Sequence, residues 1–363
     1  MALMNGTLSL RPRGLWLVTS LELRQRVRSV RWYVALGIWT LVLLGIGVMA
    51  LAPVLYTSGW GAVAPVARVM FSLHMLLVLF AMLLVTPALS AGSINGDRSA
   101  GTLATLQASL LSPLEIVLGK LLAGLATGLA FLVLAMPSAL PLAVLGDVGI
   151  LYFARVVAMI CFLTVCVAAI GLGLSAITQR QLGSVVLAYV LVFGVTVVGP
   201  ILWGTSLTVL QQEREVTTYS IDYSNYDTNT HGVCITETDT VNVLRMDLAQ
   251  PVLWPNPVIM LAETAPTQEL ETLWQDTDAS GFDVLTLLKI GMREVSSPPH
   301  PSDHVSCPPD AQDYPEDLGT PMQIPMWPMG VAIWAIAALG SLLLAVFRLA
   351  VPIKRLGKGT RIA

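Results

Sequence analysis

Few side chains in this sequence stand at spacings that do covalent chemistry. The zinc-seating pattern His-Glu-x-x-His is missing, and so is the Gly-x-Ser-x-Gly turn that presents a serine nucleophile. Leu356-Gly357-Lys358-Gly359-Thr360 lacks the Gly-x-x-x-x-Gly-Lys loop that wraps phosphates, so it reads as a basic tail and the chain is not expected to hold ATP itself. No catalytic residue, metal-ligand set or resident cofactor is expected, and an intramembrane enzyme is the weakest reading. His74 lies in an apolar run, where it either lines a route through a membrane or packs as an internally bonded histidine, the packed reading being preferred. Arg155 and Asp147 stand near the ends of apolar runs, as a pair or as snorkelling anchors. The informative spacing is mechanical: Ser112-Pro113-Leu114-Glu115 supplies a helix N-cap, a proline at the first helical position and the glutamate of a capping box.

That corner must join two helices. Ahead of it, Leu103, Leu106 and Leu110 fall at i, i+3 and i+7, one face of a short helix over residues 101–111. Behind it, an apolar run extends over residues 113–145, with Pro137 and Pro141 expected to break or kink its far end. Further apolar runs at about 32–56, 66–90, 150–177, 182–207 and 326–349 each reach the ~20 residues that cross a ~30 Å hydrocarbon core. The fifth run is interrupted at Gly199-Pro200. Ahead of the first, residues 15–30 place Trp16, Leu23, Val27 and Val30 on one helical face and Arg24, Arg28 and Arg31 on another, with Glu22 and Arg26 paired at i, i+4. This predicts a basic amphipathic helix in the lipid headgroup region.

Composition agrees with lipid as solvent: of 363 residues 55% are hydrophobic and 12% charged, about half the charge of a soluble domain. The net charge of −3 hides a segregation, because residues 211–327 carry 19 acidic and 4 basic side chains while the rest carries 16 basic and 4 acidic. The N-terminus, the loop before Lys120, Arg180 and the C-terminal tail hold 14 of the 20 lysines and arginines, which predicts both termini in the cytoplasm and residues 211–325 outside. Expected from this are four parts: a cytoplasmic N-terminus (1–31), five spans with a surface helix at 97–112 (32–210), an acidic extracytoplasmic domain (211–325), and a sixth span with a basic tail (326–363). No cleavable signal peptide is expected. The fold class is an all-α integral membrane protein of six transmembrane helices with a mixed α/β insert.

Within the insert, β-formers at 216–219 and 233–236 flank a turn at 223–230, residues 267–277 and 282–292 read as short helices, and 296–328 as a proline-rich connector. Cys234 and Cys307 are expected to pair if this segment faces an oxidising exterior, two separate thiols being the alternative. Cys161 and Cys166 read as packing residues in an apolar run.

An acidic residue, Gly-Thr-Leu, a leucine-bearing helix, Ser-Pro and then Gly-Lys entering a span form a pattern that resembles the permease subunits of type 2 ABC exporters. Asp97, Gly101, Thr102, Leu103, Leu106, Ser112, Pro113, Gly119 and Lys120 carry it, with Arg98, Leu110 and Glu115 in the same stretch. Asp97-Arg98-Ser99-Ala100 departs from the family, which more often has Glu and a further acidic or polar residue before the glycine. Asn256-Pro257-Val258 is similar to an Asn-Pro element ahead of the family's last span. The resemblance implies a coupling helix docking on a separate ATPase dimer that holds ATP and Mg, a second permease half, identical or homologous, and a path along spans two and five. It implies export of a lipid, drug or peptide-like amphiphile across a bacterial inner membrane, with membrane lipids as surroundings and no nucleic-acid partner. The alternative is a non-transporting subunit that recruits an external partner through the acidic insert.

Overall fold

The structure is a computed structural model and describes residues 9–103, 106, 111–222, 233–267, 283–307, 313–315 and 324–350. Among them are six helices long and apolar enough to cross a membrane, so the chain is an all-α multi-pass membrane protein. Helix α1 (Pro12–Val27) precedes the first span, α2 (Val30–Thr57). The second span is α3 (Val63–Ser90), followed by the short α4 (Ser93–Ser99); α5 (Pro113–Leu145) and α6 (Ile150–Ile177) are the third and fourth. The fifth is composite: α7 (Gln181–Phe193), a π-helical turn (Gly194–Val198) and α8 (Gly199–Thr205). Two strands, β1 (Gln211–Asp222) and β2 (Val233–Leu244), and two helices, α9 (Pro257–Ala262) and α10 (Val284–Val295), lead to the sixth span, α11 (Trp327–Leu349).

The fourth span is the pivot of the bundle. Of its apolar window 67% is buried, against 11% for the first span and 17% for the fifth. It packs against the second, third and sixth spans, while the first and fifth offer most of their surface outward. Gly173 makes the contact with the sixth span possible, since a Cβ there would lie 2.7 Å from Ser341 Cβ. Of the break or kink expected at Pro137 and Pro141, no break occurs, because α5 runs through both. Their four-residue spacing explains part of this. The proton missing at Pro141 would have gone to the carbonyl of Pro137, and spanning helices tolerate such gaps where neighbours cover them.

The irregular fifth span has a specific cause. A proton on the Pro200 nitrogen would bond the Thr196 carbonyl in α register or that of Val195 in π register. Instead Asn256 Nδ2 donates to both oxygens at 3.1 Å, while Asn256 Oδ1 accepts from the backbone nitrogens of Val258 and Ile259 and caps α9. Asn256→Asp keeps the cap acceptor and turns the donor into a carboxylate facing two carbonyls. We expect a cost of about 1–3 kcal/mol at this junction, read as roughly tenfold or faster amide exchange over residues 194–203 with α9 still formed. Unchanged exchange there would remove Asn256 from the account of the kink.

The segment between the last two spans does not fold around a single core of its own. β1 and β2 pair antiparallel from Gln211↔Leu244 to Asp222↔Val233. Cys234 and Cys307 form a disulfide with Cα atoms 5.9 Å apart, and Ser306 N donates to Tyr219 O, pinning the later chain to the edge of β1. Around that bridge pack Tyr219, Ile221, Val305 and Tyr314. Trp203, Met246, Leu253, Ile259 and Met326 form a second cluster at the end of the fifth and sixth spans. Met260, Leu261, Ala262 and Leu285 belong instead to the main core of the bundle. A segment this acidic still sends apolar residues in, because α9 carries no charge and α10 places Leu285, Thr286 and Lys289 on one buried face. The turn expected at 223–230 and the helix at 267–277 fall outside the described residues, apart from Thr267 at the helix's first position. The later helix forms over Val284–Val295.

Candidate functional site

The corner after the second span is held by three elements. Ser112 Oγ accepts from Glu115 N at 3.1 Å, and Glu115 Oε2 accepts from Ser112 N at 2.9 Å, so the capping box closes as its spelling predicts. Glu115 is 1% exposed, and its Oε1 also accepts from Arg11 N at 2.6 Å. One carboxylate therefore ties the start of α5 to the start of α1, where it meets the favourable ends of two helix dipoles. Gly14 allows the approach, since a Cβ there would lie 2.8 Å from the Glu115 carboxylate. One turn on, a Cβ on Gly119 would stand 2.6 Å from Val18 Cβ, so only glycine lets α1 lie this close to the third span.

Lys120 follows, its side chain 1% exposed. Its ammonium pairs with Glu22 of α1 and, at 2.6 Å, with Asp97 of α4. A buried lysine between two carboxylates from different helices is a three-way joint. Arg26 extends it: Nη1 donates to Thr127 Oγ1 at 3.0 Å, and Glu22 lies 3.9 Å away as the i, i+4 partner. Burial pushes the Arg26 guanidinium below its ordinary pKa, and the Glu22 carboxylate pulls it back.

In α1 the apolar residues Trp16 and Val27 stay exposed, on the side a headgroup-region helix would turn to lipid, while a polar stripe turns inward. Val18, Thr19, Glu22 and Arg26 face the third span, and Trp16 is 70% exposed. The polar stripe won the buried side because Lys120 and Thr127 present complementary groups on α5. Glu22 and Arg26 had been read only as a local pair.

The loop ahead of the corner is also locked down. Asn95 is buried; its backbone nitrogen and that of Ile94 donate to Ser175 Oγ at 3.1 Å, and its Nδ2 donates to Thr178 Oγ1 at 2.8 Å. Arg98 Nη1 donates to Asn95 Oδ1 at 3.0 Å and to Thr178 O at 3.2 Å. Gly101 takes φ +73°, a left-handed turn that suits glycine, after which Thr102 Oγ1 returns to Asp97 Oδ1 at 3.2 Å. Thr102, Leu103 and Leu106 are helical; Leu110 lies outside the described residues. Leu103 is 7% exposed, and both it and Leu106 pack into the main core. These two leucines thus point into the protein. Among the described residues of this stretch, 98–102 are exposed.

Of the sequence-predicted residues, Asp97, Ser112, Pro113, Glu115, Gly119 and Lys120 gather at one joint, with Arg98, Gly101 and Thr102 on the adjoining turn. Asn95 and Thr178 belong to the same network without having been singled out, and Glu22 and Arg26 join it although read only as a local pair. Their signal was complementarity between distant stripes, Glu22 and Arg26 one helical turn apart against Lys120 and Thr127 two turns apart. His74 is 2% exposed, its Nε2 2.9 Å from Leu43 O of the first span and its Nδ1 2.8 Å from Met70 O. That places it between two packed helices rather than on a cavity wall. Arg155 does not pair with Asp147. Arg68 covers that turn instead, through Gly146 O at 2.8 Å and Asp147 O at 3.1 Å.

A groove of about 450 Å³ runs between the second and fifth spans, lined by Phe80, Leu83, Leu84, Tyr189, Phe193 and Val197. It is apolar almost throughout, with Tyr189 OH turned to the Leu84 carbonyl at 2.7 Å. At the hairpin end of the bundle lies a second polar assembly: Glu263 receives Arg293 Nε at 2.8 Å and Nη2 at 2.5 Å, Lys289 Nζ donates to Ala265 O at 2.6 Å, and Tyr152 OH donates to Asp283 Oδ2 at 2.8 Å. No protein-family model matches the chain, and no curated protein matches it.

Proposed function

We propose that the chain is the membrane-spanning subunit of an ATP-binding-cassette exporter, moved by a separate ATPase dimer that holds ATP and Mg. The observation that carries this reading is the buried Lys120 joint. It ties an exposed surface turn at 98–102 to the third span through Lys120, to α1 through Glu22, and to the connection between the fourth and fifth spans through Asn95 and Arg98. A push on that turn reaches several spans together, because buried ion pairs and short hydrogen bonds do not stretch independently. In this reading the turn, both termini and α1 lie on the cytoplasmic side of a bacterial inner membrane, where their basic residues favour retention. The exposed first and fifth spans, with the apolar groove between the second and fifth, leave room for a second permease half and for an apolar or amphipathic substrate such as a lipid, drug or peptide-like molecule.

Because Leu103 and Leu106 pack inward, the test of docking falls on the exposed turn. Ala100→Trp is expected to lower recovery of the co-expressed ATPase subunit about tenfold or more, the effect of blocking a central interface contact, while amide protection in α1 stays unchanged. Full recovery of a stoichiometric ATPase with that variant would sink the docking assignment. The disulfide-pinned hairpin, largely exposed along β2, supports the second reading of a partner-recruiting subunit that transports nothing. ATP-driven efflux from proteoliposomes separates the two.

A further inference from the structure

A cavity of about 400 Å³ opens where the fourth and sixth spans meet the chain segment that carries α9, lined by Arg155, Met159, Phe162, Glu263, Trp327 and Val331. Its chemistry is divided. Met159, Phe162 and Val331 belong to the spans and make an apolar wall; Trp327, 46% exposed, begins the sixth span at the level where indoles mark a membrane boundary. Arg155 and Glu263 make the polar mouth.

The charges at that mouth do not balance. Glu263 is engaged at both oxygens by Arg293. Lys289, 5% exposed, donates to Ala265 O and Thr267 Oγ1. Arg155 is exposed and, among the described residues, makes no ion pair or hydrogen bond. It is near enough to Lys289 for the two cations to oppose each other, and Arg293 adds to that repulsion. Three cations thus face one carboxylate already in use. The surplus is conspicuous in a stretch with 19 acidic and 4 basic residues, since two of those four, Lys289 and Arg293, are here.

We propose that this cavity binds an anionic phospholipid from the adjoining leaflet, with its phosphate on Arg155 and an acyl chain along Met159, Phe162 and Val331. An unpaired guanidinium presents a fork that matches phosphate oxygens, and the wall beneath it is exposed to hydrocarbon because the chain spans a membrane. A soluble anion would use the cation and leave the wall unfilled; a neutral lipid would fill the wall and leave the cation unpaired. The bound lipid would fasten the fourth and sixth spans to α9 whether or not the protein transports anything.

Trp327 supplies the test. The full chain is reconstituted in phosphatidylcholine bilayers doped with brominated phosphatidylglycerol or, separately, brominated phosphatidylcholine. The Trp327 contribution is taken as the difference between wild type and Trp327→Phe. Quenching of that contribution by the anionic lipid should exceed quenching by the neutral one about fivefold at equal mole fraction, as one basic contact to an anionic headgroup implies. Arg155→Gln should abolish the preference and Arg155→Lys should keep part of it; Arg155 is exposed, so neither variant threatens the fold. Equal quenching by the two lipids in wild type, or a preference that survives Arg155→Gln, overturns the proposal. A preference erased by millimolar inorganic phosphate overturns it too, by assigning the cavity to a soluble anion.

Discussion

Lys120→Met is expected to release α1 from the third span and raise amide exchange across Pro12–Val27 by two orders of magnitude or more. The size follows from what is left behind. Glu22 and Asp97 converge on one ammonium whose side chain is 1% exposed, their own side chains being 12% and 24% exposed. Removing one member of a buried ionic set costs about 3–5 kcal/mol, because the remaining charges stay desolvated without a counter-charge. Two carboxylates facing each other add repulsion. The same argument predicts a rescue: Glu22→Gln in the Lys120→Met background should recover much of the protection, since it removes a stranded charge rather than restoring a contact. If the two changes simply add, the joint is a set of surface contacts and loses its place as the link between turn and spans. Gly119→Leu is the steric counterpart. It should detach α1 with the ions intact, which separates loss of fit from loss of charge pairing.

That joint was half legible in the sequence. Ser112, Pro113 and Glu115 announce a helix start because capping is local, depending on residues three apart. The six spans were legible for a similar reason, since a run of apolar residues carries its own length and solvent preference. The partners of Lys120 were not, because nothing local distinguishes a lysine that ends in water from one that ends between Glu22 and Asp97. The inward side of α1 was missed on the same ground: Glu22 and Arg26 read as a local pair until the polar groups of α5 are placed opposite them. Leu103 and Leu106 share a helix face in the sequence, but that spacing does not say what covers the face, and tertiary packing turns both inward. The kink of the fifth span was visible in Gly199-Pro200, but its support by Asn256, some sixty residues on, is a contact only the fold brings about.

The hairpin end of the bundle yields the second large effect, Glu263→Gln. Glu263 is the carboxylate that receives the Arg293 fork, and Lys289 stands beside it with its pKa lowered to about 8. Burial is the main cause of that lowering, Arg293 and Arg155 add to it, and Glu263 opposes it. Removing Glu263's charge strips Arg293 of its paired carboxylate and leaves it and Lys289 facing Arg155, with Asp283 already bonded by Tyr152, and should cost about 3–5 kcal/mol near neutral pH. The pH dependence has a definite sign. An unfolded lysine titrates near 10.4, so between about 8 and that value the unfolded chain holds more protons than the folded one, and stability rises with pH. The penalty of holding Lys289 charged is fully present below about pH 8 and is released as pH climbs through that window. In Glu263→Gln the one raising influence is gone, the folded pKa falls further, and recovery should begin at lower pH and be larger. Thermal unfolding midpoints of wild type and variant, measured from pH 7 to 9.5, should therefore converge as pH rises. Adding Lys289→Met to the variant should flatten that convergence. A gap that widens with pH, or one that persists unchanged without Lys289, would show that the cations at this end are not held against one another, and the charge surplus beside Arg155 would lose its basis.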